Sequence, residues 1–98
     1  MDLRKLSEQE EMILFDKYKS EGSIAARNTI LEHYLYVAQI VAKKFVGRGV
    51  DFEDLYQVAS VALVNAIERY DHDRGIKFIS FATPSIIQSA HSVLKQSP

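Results

Sequence analysis

The chain has no cysteine, four glycines and two prolines. Without cysteine there is no disulfide framework, no zinc–thiolate centre and no thiol nucleophile. With so little glycine and proline, the composition is neither collagen-like nor low-complexity. No run of about 18 apolar residues is present that could form a membrane-spanning helix. The opening Met1-Asp2-Leu3-Arg4-Lys5 lacks the apolar stretch of a signal peptide. Acidic residues are missing from two long stretches, 33–50 and 74–98.

The 98 residues are 47% hydrophobic and 26% charged, a globular balance. A chain of this size buries roughly 60–70% of its unfolded surface in one core. A single domain over 1–98 is expected, with an N-terminal helix in 1–22 and the core of the domain in 23–95. The net charge of −1 is not the strongly basic balance typical of a duplex-binding domain. It conceals segments, however. Lys43, Lys44 and Arg48 lie in the first acid-free stretch, and Arg74, Lys77 and Lys95 in the second. Between them, residues 51–73 carry six acids against Arg69 alone. Such segmentation suits either two partners of opposite charge or ordinary solvated faces.

Four helices are legible, and no alternating strand pattern competes with them. Ser7-Glu8-Gln9-Glu10 is a capping box, opening a helix through Met12, Ile13, Phe15 and Tyr18 that Gly22 closes. A second helix starts near Ser23. Its apolar residues Ile30, Leu31, Tyr34, Leu35, Val37, Ala38, Val41, Ala42 and Phe45 keep three- and four-residue spacing up to Gly47 and Gly49. Asp51 is a suitable N-cap for a third helix, with Glu53 and Asp54 in its first turn. The stripe of this helix is Leu55, Val58, Ala59, Ala62, Leu63, Ala66, Ile67 and Tyr70. Asp71-His72-Asp73-Arg74-Gly75 is a turn by composition. The last helix is expected to be capped by Ser80 or Thr83 with Pro84 in its first turn, where a missing N–H is harmless. The fold class is therefore all-α, a compact bundle of about four helices.

Catalysis finds no support. The three histidines are scattered, and Asp71, His72 and Asp73 are turn neighbours that point apart. Gly47-Arg48-Gly49 lacks the continuation of a phosphate loop. No catalytic residue, metal or cofactor is expected.

Two stretches carry more information. Residues 35–71 read LYVAQIVAKKFVGRGVDFEDLYQVASVALVNAIERYD, and residues 74–84 read RGIKFISFATP. The ordered set of an AKKF helix end, a G-R-G loop, D-L-x-Q opening the next helix, a Y-D turn, R-G-x-K-F and F-A-T-P resembles region two of the bacterial RNA polymerase sigma factors. The resemblance covers about 27–87, and the A-T-P-x-I-I ending looks closest to the general-stress and sporulation branch.

The resemblance implies a sigma region-two fold and a bacterial, cytoplasmic protein that is not itself an enzyme. It implies a domain that binds the clamp coiled coil of core RNA polymerase and recognises and melts the minus-ten promoter element on the single-stranded non-template strand. An anti-sigma factor is a further implied partner, and a membrane is not. By matching position, the polymerase face would use Asp54, Gln57, Val58, Ser60, Val61 and Val64. Of these, Asp54, Gln57 and Val61 share one side of a helix by spacing alone. The DNA face would use Arg74, Lys77, Phe78, Ser80, Phe81, Gln88 and His91. Cations there neutralise phosphate and an aromatic ring takes a base. Phe78 reads more as core than as a base contact, and Phe81 reads equally as either. Gln88 and His91 sit three residues apart, and glutamine can pair bidentately with adenine.

There are departures from the family pattern. Pro84 and Ser85 stand where housekeeping members have two aromatic residues, Phe81 where tyrosine is usual, and Val58 where many have glutamate. Lys95 is the sole lysine or arginine of the last helix. These departures keep open a module that binds polymerase or an anti-sigma factor but has lost promoter recognition. A purely structural helical adaptor has only generic amphipathicity behind it. The Gln96-Ser97-Pro98 end reads as arbitrary, so a fragment or degenerate copy is expected more than a natural short protein that needs a second subunit for upstream recognition.

Overall fold

The computed structural model describes residues 6–96, and its order is α1 (Glu8–Glu21), α2 (Ile24–Phe45), α3 (Phe52–Arg69), a single 3₁₀ turn (His72–Arg74) and α4 (Phe78–Gln96). Local chemistry sets most of these boundaries. The Ser7 hydroxyl accepts from the Glu10 amide at 3.1 Å, and the Glu10 carboxylate accepts from the Ser7 amide at 2.9 Å. The capping box is therefore complete. Gly22 adopts φ 68°, and the amides of Gly22 and Ser23 donate to the Tyr18 and Lys17 carbonyls at 3.0 and 3.3 Å. This is a left-handed stop that a β-carbon would strain. Ser23 then caps α2 by accepting from the Ala26 amide at 3.1 Å. Asp51 occupies the N-cap position of α3, but its side chain makes no capping bond.

α2 packs on α3, α3 on α4, and α1 lies across α2. Alanines line the central contacts: Ala38 and Ala42 of α2 and Ala59 and Ala66 of α3 are fully buried. Small side chains at these positions let the backbones approach closely, while Ile30, Leu55, Leu63 and Ile67 fill the space between them.

The start of α4 departs from expectation. Neither Ser80 nor Thr83 caps it. The helix begins at Phe78, and its first bond runs from the Phe81 amide to the Lys77 carbonyl at 3.1 Å. Pro84 consequently lies inside the helix, where its ring nitrogen has no hydrogen to give the Ser80 carbonyl. Thr83 returns its hydroxyl to the Ile79 carbonyl at 2.6 Å, a back-bond characteristic of threonine within a helix.

Tertiary packing overrides these local signals. Phe78, Ala82, Ile86 and Ala90 recur every four residues and are all buried. The Phe78 ring meets Phe15 of α1 at 5.3 Å, Tyr34 of α2 at 4.9 Å and Tyr70 after α3 at 5.2 Å. Pairs at such distances and tilts add about 0.5–1.5 kcal/mol each beyond their burial.

Two stability outcomes follow. Phe78→Ala should cost about 3–5 kcal/mol, read from the urea midpoint. Pro84→Ala should raise stability by about 1–3 kcal/mol by restoring a helical N–H. An unchanged or lowered midpoint for Pro84→Ala would mean that α4 starts later than Phe78.

Candidate partner-docking and nucleic-acid surfaces

On α3, Asp54, Gln57 and Val61 are exposed and follow one another at three- and four-residue spacing, with Asn65 and Glu68 continuing the line. Val61 leaves 60% of its surface in solvent. An apolar side chain in the middle of a polar ridge suits a helix-in-groove contact. Beside it runs an open groove of about 330 Å³, floored by Val58 and Ala62 and closed on the α4 side by Ser89. Val58 and Val64 are half-buried on the shoulders of the ridge. Ser60 departs from its expected role. Its hydroxyl is buried and has no hydrogen-bond partner among the described residues, so it is not presented to a docking protein. The helical position explains this, because Ser60 falls on the margin between the ridge and the buried stripe of Ala59 and Leu63.

The second surface begins in the short connection between Tyr70 and Phe78. Asp71 accepts from the Asp73 amide at 3.0 Å, and the Arg74 amide donates to the Asp71 carbonyl at 3.2 Å. Gly75 at φ 79° reverses the chain, a conformation that disfavours any side chain. The Tyr70 hydroxyl donates to the Ile76 carbonyl, tying the connection to the buried rings. Arg74 and Lys77 project from this strap and are exposed. Lys77 continues into an outward stripe of α4 formed by Ser80, Phe81, Pro84, Gln88 and His91, all at helical spacing from one another. Within it, Ser80, Pro84, Gln88 and His91 are exposed and Phe81 is half-buried, its ring 5.5 Å from that of Tyr70.

Phe78 does not belong to this surface. Its exposure is 0%, so no base can reach its ring. Packed on Tyr70, it anchors the end of the strap. The sequence favours core for Phe78 and leaves Phe81 open, and the structure buries the first ring fully and the second only in part.

Acidic groups of α1 reach this neighbourhood, a feature that sequence spacing does not reveal. The Glu8 carboxylate lies 3.4 Å from the Lys77 ammonium. Both are largely solvent-exposed, so the pair is weak and readily exchanged for another anion. Glu11 accepts from the Tyr34 hydroxyl. Burial, reinforced by Glu11, pushes the ionisation of Tyr34 well above the ordinary tyrosine range. Tyr70 is raised as well, again first by burial and then by the charges of Glu11 and Asp71.

With this geometry in hand, comparison with known proteins is decisive. The family profile described as Sigma-70 region 2 matches residues 30–97. The chain belongs to the Sigma-70 region 2 family. It is 38% identical over 78 residues to the RNA polymerase sigma factor SigA of Clostridium acetobutylicum, covering 80% of this chain and 20% of that protein. It is 36% identical over 78 residues to SigA of Listeria monocytogenes, covering 80% and 21%. Against SigA of Nostoc it is 34% identical over 67 residues, covering 68% and 17%. The chain thus spans about a fifth of the length of these relatives. The match to Sigma-70 region 2 takes in most of α2, all of α3 and α4 and the strap between them, while α1 precedes it. No helix among the described residues is long and apolar enough to cross a membrane.

The raised tyrosines set an alkaline limit. A phenol held neutral in the fold but ionising near its ordinary value of 10.0 when unfolded stabilises fully below that pH. Its contribution is lost as the pH rises through 10 toward the raised folded values. Unfolding midpoints should therefore fall above pH 10, and Tyr34→Phe should flatten that fall while lowering stability at neutral pH through loss of the Glu11 bond.

Proposed function

We propose that this Sigma-70 region 2 chain binds core RNA polymerase through the outward ridge of α3 and recognises and melts the minus-ten promoter element with the strap and outward stripe of α4. One observation carries the reading. Arg74, Lys77, Phe81, Gln88 and His91 are gathered on one accessible strip, separate from the Asp54–Gln57–Val61 ridge, so both partners can be held at once. In this arrangement Asp54, Gln57 and Val61 take the polymerase clamp, with Val58 and Val64 supporting the contact from the shoulders. Arg74 and Lys77 take phosphates of the non-template strand, with Ser80 beside them. The open part of the Phe81 ring accepts a base, and Gln88 and His91 face the upstream edge of the element.

Extruding a base costs a few kcal/mol, and stacking on an aromatic returns about 1–3 kcal/mol per base. The remainder must come from phosphate contacts and from the polymerase. The proposed role belongs to a bacterial cytoplasm, and an anti-sigma factor would compete for the same ridge. The Ala82-Thr83-Pro84-Ser85-Ile86-Ile87 ending is what supports a position near the general-stress and sporulation branch; the three relatives named above are all SigA factors.

The second reading, a module that binds polymerase or an anti-sigma factor without reading promoters, is favoured by one observation. The outward stripe of α4 from Ser80 to His91 carries no lysine or arginine.

Mixing the protein with core polymerase and a fluorescent single strand bearing the minus-ten consensus separates the two. Strand affinity that appears only with the protein present supports promoter recognition. Polymerase binding without that gain leaves the second reading. Asp54→Ala should weaken polymerase association several-fold while circular dichroism stays unchanged, because the residue is exposed in the first turn of α3. Phe81→Ala should cut strand affinity by about 1–3 kcal/mol; a sharp fall in melting temperature in its place would show that the ring is structural.

A further inference from the structure

We propose that the backbone carbonyl of Ser80, left open by Pro84 within α4, is a specificity determinant that accepts a hydrogen bond from the exocyclic amino group of an unpaired adenine or cytosine. The inference rests on the promoter-binding role proposed above and names one contact that would discriminate between bases.

The bonding of the first turns of α4 is where this begins. The helix starts at Phe78 and contains Pro84. In a regular helix the Ser80 carbonyl would accept from the amide of residue 84, and proline has no amide hydrogen. A serine or threonine hydroxyl can close an open carbonyl three or four residues back. For Ser80 those two positions are Thr83 and Pro84. The Thr83 hydroxyl is committed to the Ile79 carbonyl at 2.6 Å, and proline has no hydroxyl. Ser80 and Pro84 are both exposed, so the open acceptor lies on the outer side of the helix. It stands within the stripe that runs from Lys77 to His91, one residue before the half-buried ring of Phe81.

The surrounding chemistry selects the ligand. Residues 74–98 contain no aspartate or glutamate, and Arg74 and Lys77 offer donors only. A backbone phosphate has no hydrogen to give a carbonyl oxygen and is served by those cations. The Ser80 carbonyl needs a donor. A base lying on the open part of the Phe81 ring brings its edge to the neighbouring residue. Adenine and cytosine carry an amino group on that edge, at N6 and N4, whereas guanine and thymine carry a carbonyl oxygen, O6 and O4. Two facing oxygens would be stripped of water without gaining a bond. A site built to hydrogen-bond one group rejects an analogue lacking it far more sharply than an apolar surface does.

The test uses the protein in complex with core polymerase and single strands carrying the minus-ten consensus, followed by fluorescence anisotropy. At each adenine or cytosine in turn the base is replaced by purine or 2-pyrimidinone, which keep the ring and lack the amino group. The unaltered protein should lose affinity several-fold at one position. Pro84→Ala supplies the missing amide hydrogen and closes the carbonyl, so that difference should vanish. The same variant is expected to be the more stable protein, so unfolding cannot account for the change. Lactic acid placed at position 84 has neither the proline ring nor an amide hydrogen, and it should keep the discrimination. Ser80→Ala, which retains the carbonyl, should keep it as well.

Discrimination that survives Pro84→Ala, or that is absent at every position, with Lys77→Gln still weakening strand binding, would overturn this inference and leave the proposed function standing. Loss of discrimination with lactic acid at position 84 would assign the effect to the proline ring, and loss in Ser80→Ala would assign it to the hydroxyl; either result also overturns the inference. If the unaltered protein binds polymerase but no strand, promoter recognition itself fails and the inference goes with it.

Discussion

The ring of Phe78 is where the described structure is joined. It touches rings from α1, from α2 and from the end of α3, and it is the first residue of α4. Because Tyr70 and Phe78 are both buried, the seven residues between them must leave the core and return over a short distance. The 3₁₀ turn, the left-handed Gly75 and the Tyr70–Ile76 hydrogen bond are the means. A strap so constrained has no room to fold its cations inward, and Arg74 and Lys77 are held out in solvent. The exposure of the charged residues is thus a consequence of the burial of the aromatic ones.

The α3 side follows a different logic. Alanines press one face against α2 and α4, so the helix is clamped along its length and its outer ridge is rigid. A rigid ridge with an apolar centre at Val61 and polar ends at Asp54 and Glu68 can dock without a large ordering cost. The two surfaces are joined through buried contacts between α3 and α4, so the orientation of the ridge is coupled to that of the α4 stripe.

Much of the fold was legible because its signals are local. The Ser7 capping box, the Gly22 stop, the Ser23 cap and the stripes of α2 and α3 each depend on residues within a turn of one another. The beginning of α4 was not legible for the opposite reason. Ser80, Thr83 and Pro84 are good local start signals, and only contacts with three distant rings set the helix start at Phe78. The ridge residues Asp54, Gln57 and Val61 could be placed by spacing. Ser60 could not, since a residue on the margin of a helix turns inward or outward according to its neighbours. The scarcity of cations in α4 was correctly read along the chain.

α1 lies wholly before residues 30–97, the span that sequence likeness assigns to Sigma-70 region 2. Yet Phe15, fully buried, closes the aromatic cluster from that side, with its ring 4.8 Å from Tyr70. The span of the family profile is therefore smaller than the unit that packs. Cutting the chain at the likeness border would strip a wall from the nucleus and open Tyr34, Tyr70 and Phe78 to water, loosening the very segment that presents Arg74 and Lys77.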